Sequence, residues 1–189
     1  MSATAAAPGP ADYARACIAA YLERRPAPPA PDDPFYRRRA ACFVSLKKRG
    51  ELRGCIGTLE PAEDDLGAEI ARNAYSAAFQ DPRFPPLQPA ELADVTVSVD
   101  VLSPSEPCGL ADLDPARYGV IVARGWRRGV LLPALPGVET VAQQVGIALQ
   151  KAGLRPDEPF EVRRFTVSRY HEGEPPVEKP PTVAGEADD

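Results

Sequence analysis

Hydrophobic spacing divides the chain into alternating helical and extended segments. Residues 11–25 carry Tyr13, Cys17, Ala20 and Tyr21 or Leu22 near helical spacing, with arginines in the last turn, and predict a helix. Residues 64–80 place Leu66, Ile70, Ala74 and Ala77 on one stripe, with two aspartates at the start, and predict a second. Residues 138–152 repeat the pattern through Val138, Val141, Ala142, Val145, Leu149 and Ala152 and stop at Gly153. Strict alternation marks the strands. Val95, Val97, Val99 and Val101 face one way, and Thr96, Ser98 and Asp100 the other. Segments 41–48 and 51–59 read as a hairpin turning at 48–51, and 118–125 and 126–133 as another turning near Gly125-Trp126-Arg127. Residues 160–170 alternate, but lose phase midway, which predicts a bulge at Arg163-Arg164. The order α, β-hairpin, α, β, β-hairpin, α, β gives an α+β class with antiparallel or mixed sheets and flanking helices.

The ends break the pattern. Residues 1–10 read as a disordered start, 11–170 as the folded domain, and 171–189 as a disordered, acidic, Pro-rich tail. Five prolines between 26 and 34 make an extended connector, and four more stiffen residues 81–89.

Charge adds one asymmetry. The 189-residue chain has a formal charge of −5. Residues 171–189 hold six acids and one base, so the tail accounts for that charge and the rest is balanced. Within the balanced part, Arg37, Arg38, Arg39, Lys47, Lys48, Arg49 and Arg53 form a basic cluster. It can attract a small anion, RNA or the tail itself; without an aromatic RNA-binding motif, nucleic acid is disfavoured. No apolar run is long enough to span a bilayer, and the N-terminus lacks the form of a signal peptide, so the expected location is cytoplasmic. The four cysteines lack CxxC spacing and His171 is the single histidine, so the expectation is no disulfide framework, metal or cofactor.

The chemically pointed stretch is LRGCIGT, residues 52–58. Gly54 and Gly57 within a strand permit close approach of backbone or ligand. On a regular strand Arg53 and Cys55 share a face, where a guanidinium favours the thiolate and so a nucleophile. A small buried cysteine packed among glycines is the other reading. A rigid loop around Asp81-Pro82-Arg83-Phe84-Pro85-Pro86 can hold Arg83 for a carboxylate or phosphate, or simply pair it with Asp81. Arg124, Trp126, Arg127 and Arg128 form a basic turn, read either as a solvated hairpin tip or, at Arg128, as an anion contact. Glu60, Asp81, Asp100 and Glu139 are candidate carboxylates that nothing in the sequence pairs, and His171 is poorly placed for a base.

At LRGCIGT the chain resembles the AMMECR-type domain family, also called AmmeMemoRadiSam system protein A. The likeness continues through Asn73-Ala74, Ala77-Ala78-Phe79, the stretch 81–87, Val97-Ser98-Val99, Leu102-Ser103-Pro104, Gly119-Val120, residues 128–133 and Lys151-Ala152-Gly153-Leu154. Ala134 stands where the family often has Gln, and Leu149-Gln150 where many members carry Cys. The resemblance implies a larger and a smaller sheet-containing subdomain with a groove between them. It also implies Memo-like and radical-SAM proteins as partners, and it makes Cys55 the suspect for catalysis. Two functions follow as expectations. The first is an enzyme using the Cys55 thiol on a small anionic substrate held by Arg53, Gly54, Gly57, Thr58, Asn73, Arg83 and Arg128. The second is a non-enzymatic binding or adaptor module for those partners; an RNA-associated protein stands third.

Overall fold

The computed structural model describes residues 7–182 of the chain. The described residues divide into two units, one of residues 7–101 and 169–179, the other of 102–168 and 180–182. Both sheets are antiparallel, and the fold is α+β, as the element pattern predicts.

The first unit opens with α1 (Pro10–Leu22), whose Pro at the first helical position needs no donor there. After the proline connector comes a short helix the periodicity does not reveal, α2 (Pro34–Arg37), capped by the Asp33 side chain accepting from the Phe35 N–H at 2.8 Å. Strands β1 (Cys42–Lys48) and β2 (Glu51–Gly57) form the predicted hairpin. Helix α3 (Leu66–Phe79) is capped by Asp65, and its stripe of Leu66, Ile70, Ala74 and Ala77 is fully buried. Strand β3 (Val95–Leu102) turns its four valines to the same core. With β8 (Val167–His171) the sheet order is β2-β1-β3-β8, and β2 is an edge. Helix α3 lies across β1 and β2 and packs against α1.

The second unit holds the short strand β4 (Glu106–Pro107), the hairpin β5 (Gly119–Arg124) and β6 (Arg127–Leu131), α4 (Val141–Ala152) and β7 (Glu161–Phe165), in sheet order β4-β7-β5-β6. Helix α4 starts three residues later than the periodicity predicts, because Thr140 and Gln143 close a capping box. It ends at Gly153 in the left-handed region, φ 65°.

The expected bulge at Arg163-Arg164 is absent: both residues pair in regular register with β5. The phase change comes instead from a switch of sheets at Thr166. Before it the chain is β7 in the second sheet; after it the chain is β8 (Val167–His171) in the first. Ser103 and Thr166 pin the switch reciprocally, Ser103 N–H to Thr166 O at 3.0 Å and Thr166 N–H to Ser103 Oγ at 2.9 Å.

The predicted disordered ends are ordered where they are described. Gly9 caps α1 and the Pro8 carbonyl accepts from Tyr36 Oη at 2.5 Å. Residues 172–182 lie along the fold: Glu172 pairs with Arg15, Glu178 with Arg38, and the Val177 carbonyl accepts from Tyr170 Oη at 2.9 Å. The tail's acids have local bases to meet, which composition alone does not reveal. Residues 1–6 and 183–189 lie outside the described residues.

Candidate functional site

The site grows from an irregularity in β2. Pairing with β1 runs Phe43↔Gly57, Ser45↔Cys55 and Leu46↔Gly54, then steps to Lys47↔Leu52, so Arg53 has no partner on β1. This bulge breaks the alternation on which a shared Arg53–Cys55 face depends. Arg53 is buried and turns to the 81–91 loop, where Nε and Nη2 donate to the two carboxylate oxygens of Glu91 at 3.1 and 2.9 Å and Nη2 to the Pro85 carbonyl at 3.0 Å. Lys48 Nζ meets the same carboxylate at 2.9 Å. The bases around Glu91 pull its carboxyl down to about 2.

The cation near Cys55 is Arg83. Its Nη2 donates to the Cys55 carbonyl at 3.2 Å, while Nε and Nη2 hold both oxygens of Asp81 at 3.0 and 2.7 Å. Asp81, 2% exposed at its side chain, also accepts the Cys55 N–H at 2.9 Å and the Arg83 N–H at 3.1 Å. The pair therefore meets the outward backbone groups of an edge strand as a neighbouring strand would. These donors hold the Asp81 carboxyl well below the usual carboxylate range, the Arg83 side chain first among them. The Arg83 side chain is 54% exposed although it is fixed in place, and Phe84 lies beneath its guanidinium.

Cys55 is half-buried, and Ser45 Oγ donates to its Sγ at 3.1 Å. Burial pushes the thiol up; the Ser45 hydroxyl and Arg83 oppose that, and Asp100 adds to it. At neutral pH the group is a thiol, not a thiolate. Among the described residues, no cluster of three His, Cys, Asp or Glu is placed to hold a metal ion. No helix among them is long and apolar enough to cross a membrane.

The AMMECR1 family model matches residues 11–173. The chain belongs to the AMMECR1 family. A Thermotoga maritima protein is 55% identical over 139 residues, 72% of this chain and 80% of the relative. A Methanothermobacter thermautotrophicus protein is 42% identical over 75% of this chain and 81% of its own length. A Clostridium acetobutylicum protein is 49% identical over 69% of this chain, but the match takes in 28% of that longer protein. The crystal structure of an uncharacterised protein from Pyrococcus horikoshii superposes with a TM-score of 0.78 at 29% identity, covering 92% of this chain and 95% of that one.

In this AMMECR1 domain the other expected site residues take different places. A Cβ on Gly54 would lie 2.2 Å from the Ala77 carbonyl oxygen, so that glycine lets α3 approach the sheet. A Cβ on Gly57 would lie 2.3 Å from the Phe43 ring, which occupies the space above it. Thr58 and Asn73 join a buried network around Glu69. Thr58 donates to its Oε1, the Ala62 and Glu63 N–H groups donate to its Oε2 at 2.8 Å each, and Asn73 Nδ2 donates to the Cys42 carbonyl at 2.9 Å. Arg128 is exposed on β6, opposite Ala123 in the second unit. Arg124 and Arg127 at that hairpin both pair with Glu158, and Trp126 at its tip is 92% exposed.

Sequence reasoning missed Ser45 and Glu91. Nothing local marks Glu91, whose role depends on the fold bringing two bases to it. Ser45 was visible as a small polar residue alternating within FVSLK, and pairing register alone sets it opposite Cys55.

Proposed function

We propose that this AMMECR1 domain is a binding module that receives a small anionic group at the Arg83–Cys55 rim of β2, acting with Memo-like and radical-SAM partners. The carrying observation is Arg83, a half-exposed guanidinium held rigid by the buried Asp81 carboxylate and the Cys55 carbonyl. A fixed cation binds carboxylate or phosphate without the entropy of ordering a long side chain. Cys55 is a neutral contact in this reading. Its thiol is raised by burial, and Asp81, the carboxylate nearest its backbone, is committed to Arg83 and the Cys55 N–H.

The test is titration of the 15N-labelled chain with inorganic phosphate at low salt. The Cys55 backbone N–H and the Arg83 Nε–H resonances are expected to shift together. Arg83→Gln should abolish the shift and Cys55→Ser should keep it. An absent response, or one that survives Arg83→Gln, overturns the reading. The thiol-enzyme alternative is tested on the same protein by iodoacetamide. Slow alkylation at pH 7, rising only above the ordinary thiol range, is expected, and rapid alkylation at pH 7 would favour catalysis. For the partners, affinity capture should enrich the Memo-like and radical-SAM proteins of the native organism.

A further inference from the structure

We infer that the face of the first sheet carrying Cys55 contains a cross-strand slot that takes a slender, hydroxyl-bearing anion, with its charged end at Arg83. This rests on the Arg83 reading and adds the chemistry of the rest of the ligand.

Residues directly opposite in an antiparallel pair share a face. Ser45 is opposite Cys55 on β2 and opposite Ser98 on β3, so Cys55, Ser45 and Ser98 form one row across three strands. This face is opposite to the one that builds the core, where Val44, Leu46, Val97 and Val99 are buried. The neighbouring rows are bulkier. On one side stand Gly57, Phe43 and Asp100, with the Phe43 ring over Gly57 and Arg169 clamping Asp100 through bonds of 2.7 and 2.9 Å. On the other side are Leu52, Lys47 and Thr96. Three small side chains between longer ones leave a trough. Its length follows from strand spacing: two intervals give about 10 Å. Each flanking row stands one two-residue step, about 7 Å, from it along the strands.

The trough is half-buried rather than sealed at Cys55, Ser45 and Ser98. Its floor is a thiol and two hydroxyls. Ser45 spends its donor on the Cys55 sulfur at 3.1 Å and keeps lone pairs to accept. The Ser98 hydroxyl bonds to no described residue and can donate or accept. The edge end meets Arg83, whose Nη2 reaches the Cys55 carbonyl. Such a slot suits a chain-like molecule with one anionic terminus and hydroxyl groups along its length. An apolar chain of equal length would leave Ser98 unpaired.

The experiment compares gluconate with hexanoate, probes of the same carbon count and charge, by calorimetric or NMR titration of the full chain. Gluconate is expected to bind about tenfold tighter, the gain from two neutral hydrogen bonds. Ser98→Leu, which fills the slot without touching Arg83, should abolish gluconate binding while leaving the phosphate response at Arg83 intact. Circular dichroism and the thermal midpoint check that each variant folds. Should Ser98→Leu fail to fold, Ser98→Ala takes its place, with a several-fold loss expected. Equal binding of gluconate and hexanoate, or gluconate binding indifferent to Ser98, overturns the slot while the Arg83 reading stands. If phosphate also fails to bind, both fall.

Discussion

Replacing Glu91 with Gln tests the anchor of the 81–91 loop, and its cost can be worked from the contacts. The carboxylate accepts from Arg53 Nε and Nη2, Lys48 Nζ and the Gln88 N–H, all at 2.9–3.1 Å. The Arg53 side chain is 10% exposed and that of Glu91 19%, so solvent does little to replace the lost charge. Removing one partner of a buried pair strands the other, and one charge-assisted hydrogen bond contributes about 1.5–3 kcal/mol. Glutamine still accepts at one oxygen but turns an amide N–H₂ toward a guanidinium. We expect Glu91→Gln to lower stability by about 2–3 kcal/mol at pH 7. The pKa gives a second route to the same figure. Glu91 falls from 4.5 to about 2 on folding. At about 1.4 kcal/mol per pH unit, that corresponds to about 3 kcal/mol, less what residual water screens. The folded value is depressed, so the stabilisation is present above pH 4.5 and is lost as pH falls toward 2. The gap between wild type and Glu91→Gln should therefore narrow from pH 5 to pH 3. Because the chain has two units, native-state hydrogen exchange at β1 and β2 amides is the proper readout, with urea unfolding beside it. A loss below about 0.5 kcal/mol at pH 7, or a gap that does not narrow with acid, refutes the argument.

Other outcomes follow from single contacts. Gly54→Ala should cost several kcal/mol in urea unfolding, on the order of other overpacked sites, because its Cβ would sit 2.2 Å from the Ala77 carbonyl oxygen. Gly146→Ala, inside α4 with nothing within 4 Å, should instead stabilise by about 0.5–1 kcal/mol in the same assay. Ser45→Ala removes the hydrogen bond that lowers the Cys55 thiol pKa, so the pH midpoint of iodoacetamide alkylation should move upward. Truncation after His171 removes the acidic partners of Arg15 and Arg38. It should destabilise the first unit by about 1–2 kcal/mol in hydrogen exchange, while RNA binding at low salt stays weak in a filter assay.

The fold was legible wherever one face of an element is buried. The stripe from Leu66 to Ala77 and the alternation from Val95 to Val101 show in the sequence because burial demands one period throughout. The sheet switch at Thr166 was legible only as a lost phase, since a bulge and a change of sheet have the same local signature. Helix α2 was hidden because four residues cannot display a period, and a capping aspartate followed by proline is its mark. In the site, the importance of LRGCIGT and the stiffness of the 81–86 loop were legible. The pairing was not: a one-residue bulge exchanges Arg53 for Arg83 as the cation at Cys55, and no local rule places a bulge at Arg53 rather than at its neighbours.

That exchange bears on the basic cluster as well. Counted along the sequence, residues 37–53 look like a cationic face waiting for a polyanion. In the fold carboxylates meet these charges: Arg37 by Asp32, Arg38 by Glu178, Arg49 by Asp94, and Lys48 and Arg53 together by Glu91. The four carboxylates come from three separate segments, so no sequence window shows the balance. Neutralised pairs at a surface project little field beyond a Debye length, which leaves such a cluster poorly suited to gather a nucleic-acid backbone. Arg83 differs in kind. Its partner, Asp81, is buried beneath it, and more than half of its own side chain remains open to solvent. The pairing therefore fixes the guanidinium without covering it, and one cation held in that way serves a small, oriented anion better than a long polymer.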